Sequence, residues 1–154
     1  MSEFTVRPIG HVHGGRDQPI DDDWDAVAAR IELDRSVVEP EATLGLDSFS
    51  HVEVIFVFDR VDERSVCTAA RHPRGREDWP LVGILAQRAK DRPNRIGTTV
   101  CRVVAVGPGW IDVTGLDAID GTPVLDLKPY LRGLAPRGEI REPAWATELM
   151  ADYW

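Results

Sequence analysis

The sequence predicts a mainly β protein, a barrel or sandwich of about seven strands with at most three short helices. Three observations carry that expectation. Short β-branched runs recur between turn signals. Strands and helices do not alternate regularly, which argues against a doubly wound parallel sheet. Residues 99–106 and 110–114 are both β-branched and flank Gly107-Pro108-Gly109, the pattern of a hairpin. At 154 residues the chain is expected to form one domain with a substantial core.

Taken in order, residues 4–12 alternate loosely and are expected to form a first strand ending near Ile9 and Val12. Asp21, Asp22 and Asp23 precede Trp24, and the acidic run is read as the cap of a short helix over residues 24–30, since carboxylates favour helix N-termini. Ile31-Glu32-Leu33 alternates, and residues 37–40 look like a strand end. Residues 52–59, between His51 and Arg60, are the most hydrophobic run and are read as a central strand buried on both faces. Residues 61–70 hold a short helix at most. Residues 72–80 carry too much Pro, Gly and charge for a regular element. Residues 81–88 are a further expected strand, delivering Arg88 to a dense loop, Arg92-Pro93-Asn94-Arg95-Ile96-Gly97. After the hairpin, a second dense loop runs from Asp117 to Pro123. Residues 123–130 then alternate, with Val124, Asp126 and Lys128 on one face and Leu125 and Leu127 on the other. Trp145, Leu149 and Tyr153 recur at spacing four, so residues 143–154 are expected to be a helical tail on the single domain spanning 1–154.

Charge narrows the classes. The net charge of −8 argues against a general nucleic-acid binder, because phosphate contacts dominate that affinity. The balance is uneven: residues 1–70 carry −9, residues 71–102 carry +5 and residues 103–154 carry −4. The basic block coincides with the first dense loop and suits a local anionic partner or a solvated face. No apolar run approaches the roughly 20 residues of a membrane helix, and the N-terminus lacks the order of a signal peptide, so a cytoplasmic protein without a membrane role is expected. Cys67 and Cys101 stand alone, without metal or redox spacing. His11, His13, His51 and His72 are too scattered for a metal site, and none is expected. GxGxxG, HExxH, GxSxG and a Walker-type phosphate loop are all lacking.

The two loops place Arg88, Arg92, Asn94, Asp117, Asp120, Thr122 and Asp126 within a short span. Asp and Asn at turns accept hydroxyl or amino hydrogens, Gly121 permits close backbone approach, and Arg clamps a carboxylate or stacks on a base. That set suits a zwitterionic, nucleoside-containing ligand.

At these residues the chain resembles the TsaA-like, or TrmO, family of S-adenosylmethionine-dependent methyltransferases. The matches run from Pro8-Ile9-Gly10 through Leu46-Asp47-Ser48-Phe49-Ser50-His51, Phe56-Val57-Phe58, His72-Pro73-Arg74-Gly75 and the loop from Arg92 to Gly97. They end with the long motif from Gly115 to Tyr130. The resemblance implies a single-sheet β-barrel that pairs as a homodimer and binds S-adenosylmethionine at its loops. It implies methylation of the exocyclic nitrogen of threonylcarbamoyladenosine at position 37, in the anticodon loop of tRNA. By position it places Asp59, Arg60, Arg88, Thr98, Asp120, Gly121, Thr122 and Pro123 against the cofactor. Arg92 and Asn94 are candidates to hold the substrate's threonyl carboxylate or the anticodon backbone. Asp126, Lys128 and Tyr130 are candidates to polarise or deprotonate the acceptor nitrogen. Arg95 stands where the family commonly has proline, and Gln87 where threonine is common. The chain ends soon after the expected barrel, at Trp154, without the extra C-terminal domain of the family's longer bacterial members. Two alternatives stand beside tRNA methylation: a small-molecule methyl acceptor, favoured by the acidic balance and short C-terminus, and a non-catalytic adenosylmethionine-binding sensor, favoured if no acceptor-activating group lies near the donor methyl.

Overall fold

The computed structural model describes residues 1–154. Its strands are β1 (Gly10–His13), β2 (Ala28–Leu33), β3 (His51–Val57), β4 (Ala70–Arg71), β5 (Val82–Gly83), β6 (Ile96–Gly107), β7 (Trp110–Thr114) and β8 (Pro123–Pro129), and one helix, α1 (Ala144–Leu149), follows. Six strands close into an antiparallel barrel in the order β1-β2-β7-β6-β3-β8, sealed where Gly10 pairs with Val124. β4 and β5 form a separate two-stranded ribbon. The mainly β barrel is the expected class.

The strand period of two sorts the side chains. Val52, Val54 and Phe56 of β3 point inward with Ile31, Cys101, Ile111, Val113 and Val124, and all are essentially inaccessible to water. The β6–β7 hairpin is the expected one, and Gly109 at φ +77° supplies the left-handed corner. At Gly97 the requirement is space: a Cβ there would sit 2.6 Å from the Phe56 ring and 2.9 Å from that of Phe58. Those two rings meet edge to face at 5.2 Å and floor one mouth of the barrel.

Several local expectations are corrected. β1 begins only at Gly10, where its pairing with β2 ends at Leu33, and Phe4 and Val6 are exposed. Residues 24–30 form no helix. A turn closes from Val27 N–H to the Trp24 carbonyl, and Ala28 onward is drawn into β2 by pairing with β1 and β7, overriding the helix propensity of alanine. The strand end expected at residues 37–40 is a turn leading into a 3-10 turn, Pro40–Thr43. Residues 81–88 give only the two-residue β5 and a 3-10 turn, Ile84–Ala86, whose single buried residue is Ile84; Leu81 and Leu85 are exposed. β3 is central, flanked by β6 and β8, but only one of its faces is buried. On β8 the register slips against β3, so that Ile55 faces Asp126 while Phe56 faces Val124. This bulge sends Val124 into the core and Asp126 and Lys128 outward, so they do not share a face. α1 covers six residues, shorter than the tail expected over 143–154.

Candidate functional site

A cleft of about 1540 Å³ opens at the Phe56–Phe58 mouth of the barrel and continues onto the outer face of β3 and β6, where Glu53, Thr98 and Val100 line it. Its walls come from the loop before β2, the segment after β3, the stretch from Arg71 to Arg92, the turn before β8 and the C-terminal residues.

The turn before β8 is locked to the barrel's first strand. Gly121 N–H donates to the Val12 carbonyl (2.7 Å), Asp120 N–H to the Arg16 carbonyl (2.7 Å), and Gly14 N–H to Asp120 Oδ1 (2.9 Å). Arg60, beyond β3, donates to the Asp120 carbonyl at 3.0 Å. The turn before β8, the loop after β1 and Arg60 beyond β3 thus form one rim.

The opposite wall is held by its own bonds. Buried Gln87 donates its amide to the Arg71 and Val82 carbonyls (3.0 and 3.1 Å). Arg92 donates to the Gln87 carbonyl (2.6 Å), and Arg88 to the Thr98 carbonyl (2.8 Å). Arg71 forms a two-pronged pair with Asp91, whose carboxyl is held below the usual range by those bonds and by Arg71's charge, against a larger burial effect in the opposite direction. The Arg71 Nε is buried and has no partner.

Charge is distributed pointedly here. Arg71 and Arg74 are neutralised by Asp91 and Asp22. Arg60, Arg88 and Arg92 bond only to backbone carbonyls, so their charge is free for a ligand. Facing them are the carboxylates of Glu53, Asp59 and Asp117. Asp117 accepts from the Thr99 and Tyr153 hydroxyls. Burial, then Asp117's charge and hydrogen bond, push the Tyr153 hydroxyl far above the ordinary tyrosine value.

Of the residues singled out in the sequence, Asp59, Arg60, Arg88, Thr98, Thr122 and Arg92 line this cleft. Asp120 and Gly121 brace its rim through the bonds above, and Pro123 follows as the first residue of β8. Asn94 sits outside it on an exposed 3-10 turn at φ +63°. The proposed proton-handling residues do not line the cleft of their own chain. Lys128 bonds Asp126 at 2.8 Å on the exposed outer face, and Lys128 is the cross-strand partner of Glu53, so the pair stands one strand beyond the cleft's edge. Tyr130 lies at the other end of β3, donating its N–H to the His51 carbonyl, roughly 20 Å along the strand from Phe58. The sequence reading missed Glu53, whose carboxylate accepts from Thr98 Oγ1 (2.8 Å), and the contribution of Tyr153 and Trp154. The period of two along β3 marks Glu53 as outward-facing, but nothing local marks the C-terminal segment as a cleft wall.

Comparison with known proteins agrees with this architecture. Residues 14–134 match the family model described as the tRNA-methyltransferase O N-terminal domain. The human tRNA (adenine(37)-N6)-methyltransferase is 35% identical over 148 residues, covering 91% of this chain and 33% of that protein. A probable S-adenosyl-L-methionine-binding protein of Pyrococcus abyssi is 35% identical over 142 residues, covering 90% of this chain and 72% of its own. The crystal structure of TrmO from Pseudomonas aeruginosa superposes with a TM-score of 0.75 at 29% identity, covering 94% of this chain and 62% of that one. The chain thus spans about a third of the human relative's length. With the barrel, the cleft and the match over residues 14–134 in agreement, this chain belongs to the tRNA-methyltransferase O (TrmO) N-terminal domain family.

Proposed function

We propose that the protein is an S-adenosylmethionine-dependent tRNA methyltransferase that modifies the exocyclic nitrogen of adenosine 37, with threonylcarbamoyladenosine as its preferred form. The observation that carries this reading is the set of free guanidiniums, Arg60, Arg88 and Arg92, opposite the carboxylates Asp59 and Glu53 in one cleft of an acidic protein. That donor set fits a molecule bearing a carboxylate, an ammonium, a ribose and a purine. Arg60 and Arg88 suit the carboxylate, Asp59 the ammonium or ribose, and the apolar walls at Phe58 and Ile96 a ring. Asp120, Gly121, Thr122 and Pro123 shape the rim against which such a molecule would rest.

When bound, S-adenosylmethionine supplies an electrophilic methyl group on a sulfonium. The chain's part is alignment and proton handling. The acceptor nitrogen must lose a proton, and Glu53, on the cleft wall, carries the carboxylate assigned to take it. Thr98 orients that carboxylate at one oxygen. Lys128, whose pKa is raised by the Asp126 hydrogen bond and charge and by Glu53, is the cross-strand partner of Glu53 on the neighbouring strand. Arg92 is assigned to the anionic part of the acceptor. A cytoplasmic location and a homodimer belong to the same reading, with exposed apolar residues such as Val104 available to a second copy; a monomer by light scattering at working concentration would remove the dimer.

A second reading, a binding protein without methyl transfer, is favoured by the position of Asp126, Lys128 and Tyr130 off the cleft. Incubation with methyl-labelled donor and tRNA lacking the modification separates the readings. Label at N6 of adenosine 37, higher when threonylcarbamoyl is present, is the expected result. Label only in small metabolites, or binding without turnover, would overturn it.

A further inference from the structure

The cleft is larger than the site described so far requires. Pockets for a single small ligand run to about 300–1,000 Å³, and this one reaches about 1540 Å³. Part of the remainder is walled by the C-terminal segment, which contributes Trp145, Tyr153 and Trp154.

That segment is fixed at four points. Asp23 N–H donates to the Asp152 carbonyl (3.0 Å) and Trp24 N–H to the Tyr153 carbonyl (2.9 Å). Trp79 Nε1 donates to Glu148 at 2.8 Å, and the Tyr153 hydroxyl donates to Asp117. Trp154 is treated differently from its neighbours. Its ring meets Tyr153 edge to face, with centroids 4.9 Å apart and planes at 83°, and the residue as a whole remains 51% exposed while lining the cleft. Trp79, by contrast, is 5% exposed and has its indole N–H satisfied. A large ring held in place on a pinned backbone yet left open to water gains apolar burial only when another surface covers it. Arg92, with its charge unmatched by any carboxylate, shares the cleft with it. An aromatic face and a free guanidinium in one cleft are what an unpaired base and its backbone phosphate require.

Resting on the function proposed above, we infer that Trp154 is an acceptor-binding residue, the stacking surface for an unpaired RNA base, and that the Tyr153–Asp117 bond holds it in place. The donor and the acceptor then occupy different parts of one cleft, and Trp154 serves the acceptor alone.

The test compares the full chain with Trp154→Ala and Trp154→Phe. It uses a synthetic anticodon stem-loop with an unpaired adenosine at position 37, with and without threonylcarbamoyl, and methyl-labelled S-adenosylmethionine. RNA affinity is read by fluorescence anisotropy, donor affinity by calorimetry, and transfer by label at N6. Trp154→Ala is expected to weaken RNA binding and raise the RNA KM by about tenfold or more, with donor affinity and melting temperature unchanged. Trp154→Phe keeps a ring and should stay within about threefold of the parent. If the parent chain transfers label to the RNA and Trp154→Ala does so with unaltered KM, the inference alone fails. Loss of donor affinity instead would assign the ring to the donor and overturn it equally. If the parent neither binds the RNA nor labels it, the proposed function falls, and this inference with it.

Discussion

Gly97→Ala examines the packing that forms the cleft floor. Gly97 is buried at the start of β6 and pairs with Phe56 of β3. Its backbone does not lie in the left-handed region, so alanine meets no conformational barrier and only the missing space matters. The added methyl would approach Cε2 and Cζ of Phe56 at 2.6 Å and Cζ of Phe58 at 2.9 Å. Those rings touch each other, and Phe56 is 1% exposed, so neither can move without disturbing the core. Overpacking of this kind costs about 1–3 kcal/mol. For a chain of this size that lowers the melting temperature by roughly 2–12 °C, at about 2–4 °C per kcal/mol. Because both rings line the cleft, donor affinity should fall as well. Calorimetric melting and donor titration of Gly97→Ala, Phe56→Leu and the double variant measure both effects. The double variant should be more stable than the sum of the singles implies, with a coupling of about 0.5–3 kcal/mol, because the smaller side chain vacates the clash. An unchanged melting temperature and donor affinity in Gly97→Ala would refute the packing argument.

Four further outcomes follow from the same geometry. Glu53→Gln should lower kcat by about 10²-fold or more while donor affinity holds; an unaltered kcat removes Glu53 from proton handling. Arg92→Ala should raise the RNA KM and spare donor binding, and loss of both would mean that Arg92 serves the donor. For Tyr153, the folded pKa lies above its ordinary value of 10.0, so the folded state retains the proton that the unfolded chain gives up, and stability declines as pH rises above about 10. Tyr153→Phe should remove that part of the alkaline loss; identical alkaline unfolding curves for the two proteins would contradict the burial of the hydroxyl against Asp117. Burial, with a smaller effect of Asp117, pushes the Cys101 thiol up to about 12, so in the native protein a thiol reagent at pH 8 should modify Cys67 first. Equal rates for both thiols would contradict the burial of Cys101.

The hairpin of β6 and β7 was legible because its signal is local: β-branched residues on both sides of Gly107-Pro108-Gly109. The two dense corners were legible for the same reason, and five of the side chains assigned there or just after β3, Asp59, Arg60, Arg88, Thr98 and Thr122, line the cleft together with Arg92. What escaped is set by partners distant in sequence. Alanine-rich residues 26–29 look helical until β1 and β7 are present to pair with Arg30 and Ile31. The alternation of residues 123–130 predicts the wrong side for Val124, since the bulge opposite Ile55 and Phe56 belongs to the strand pair rather than to β8 alone. Glu53 sits inside a hydrophobic run whose composition reads as buried on both faces, whereas only alternate residues of β3 are buried. The Tyr153–Asp117 bond joins residues 36 apart through tertiary packing, and no spacing rule anticipates it.

In the proposed function, one cleft at the Phe56–Phe58 mouth receives a sulfonium-bearing nucleoside between the Arg60–Asp120 rim and the Arg88 wall. A crystal structure with S-adenosylhomocysteine tests it most directly. The account predicts the compound in that cleft, its carboxylate on a guanidinium of Arg60 or Arg88 and its rings near Phe58 or Ile96. Clear density for it at another surface, with the cleft holding only solvent, would contradict the account.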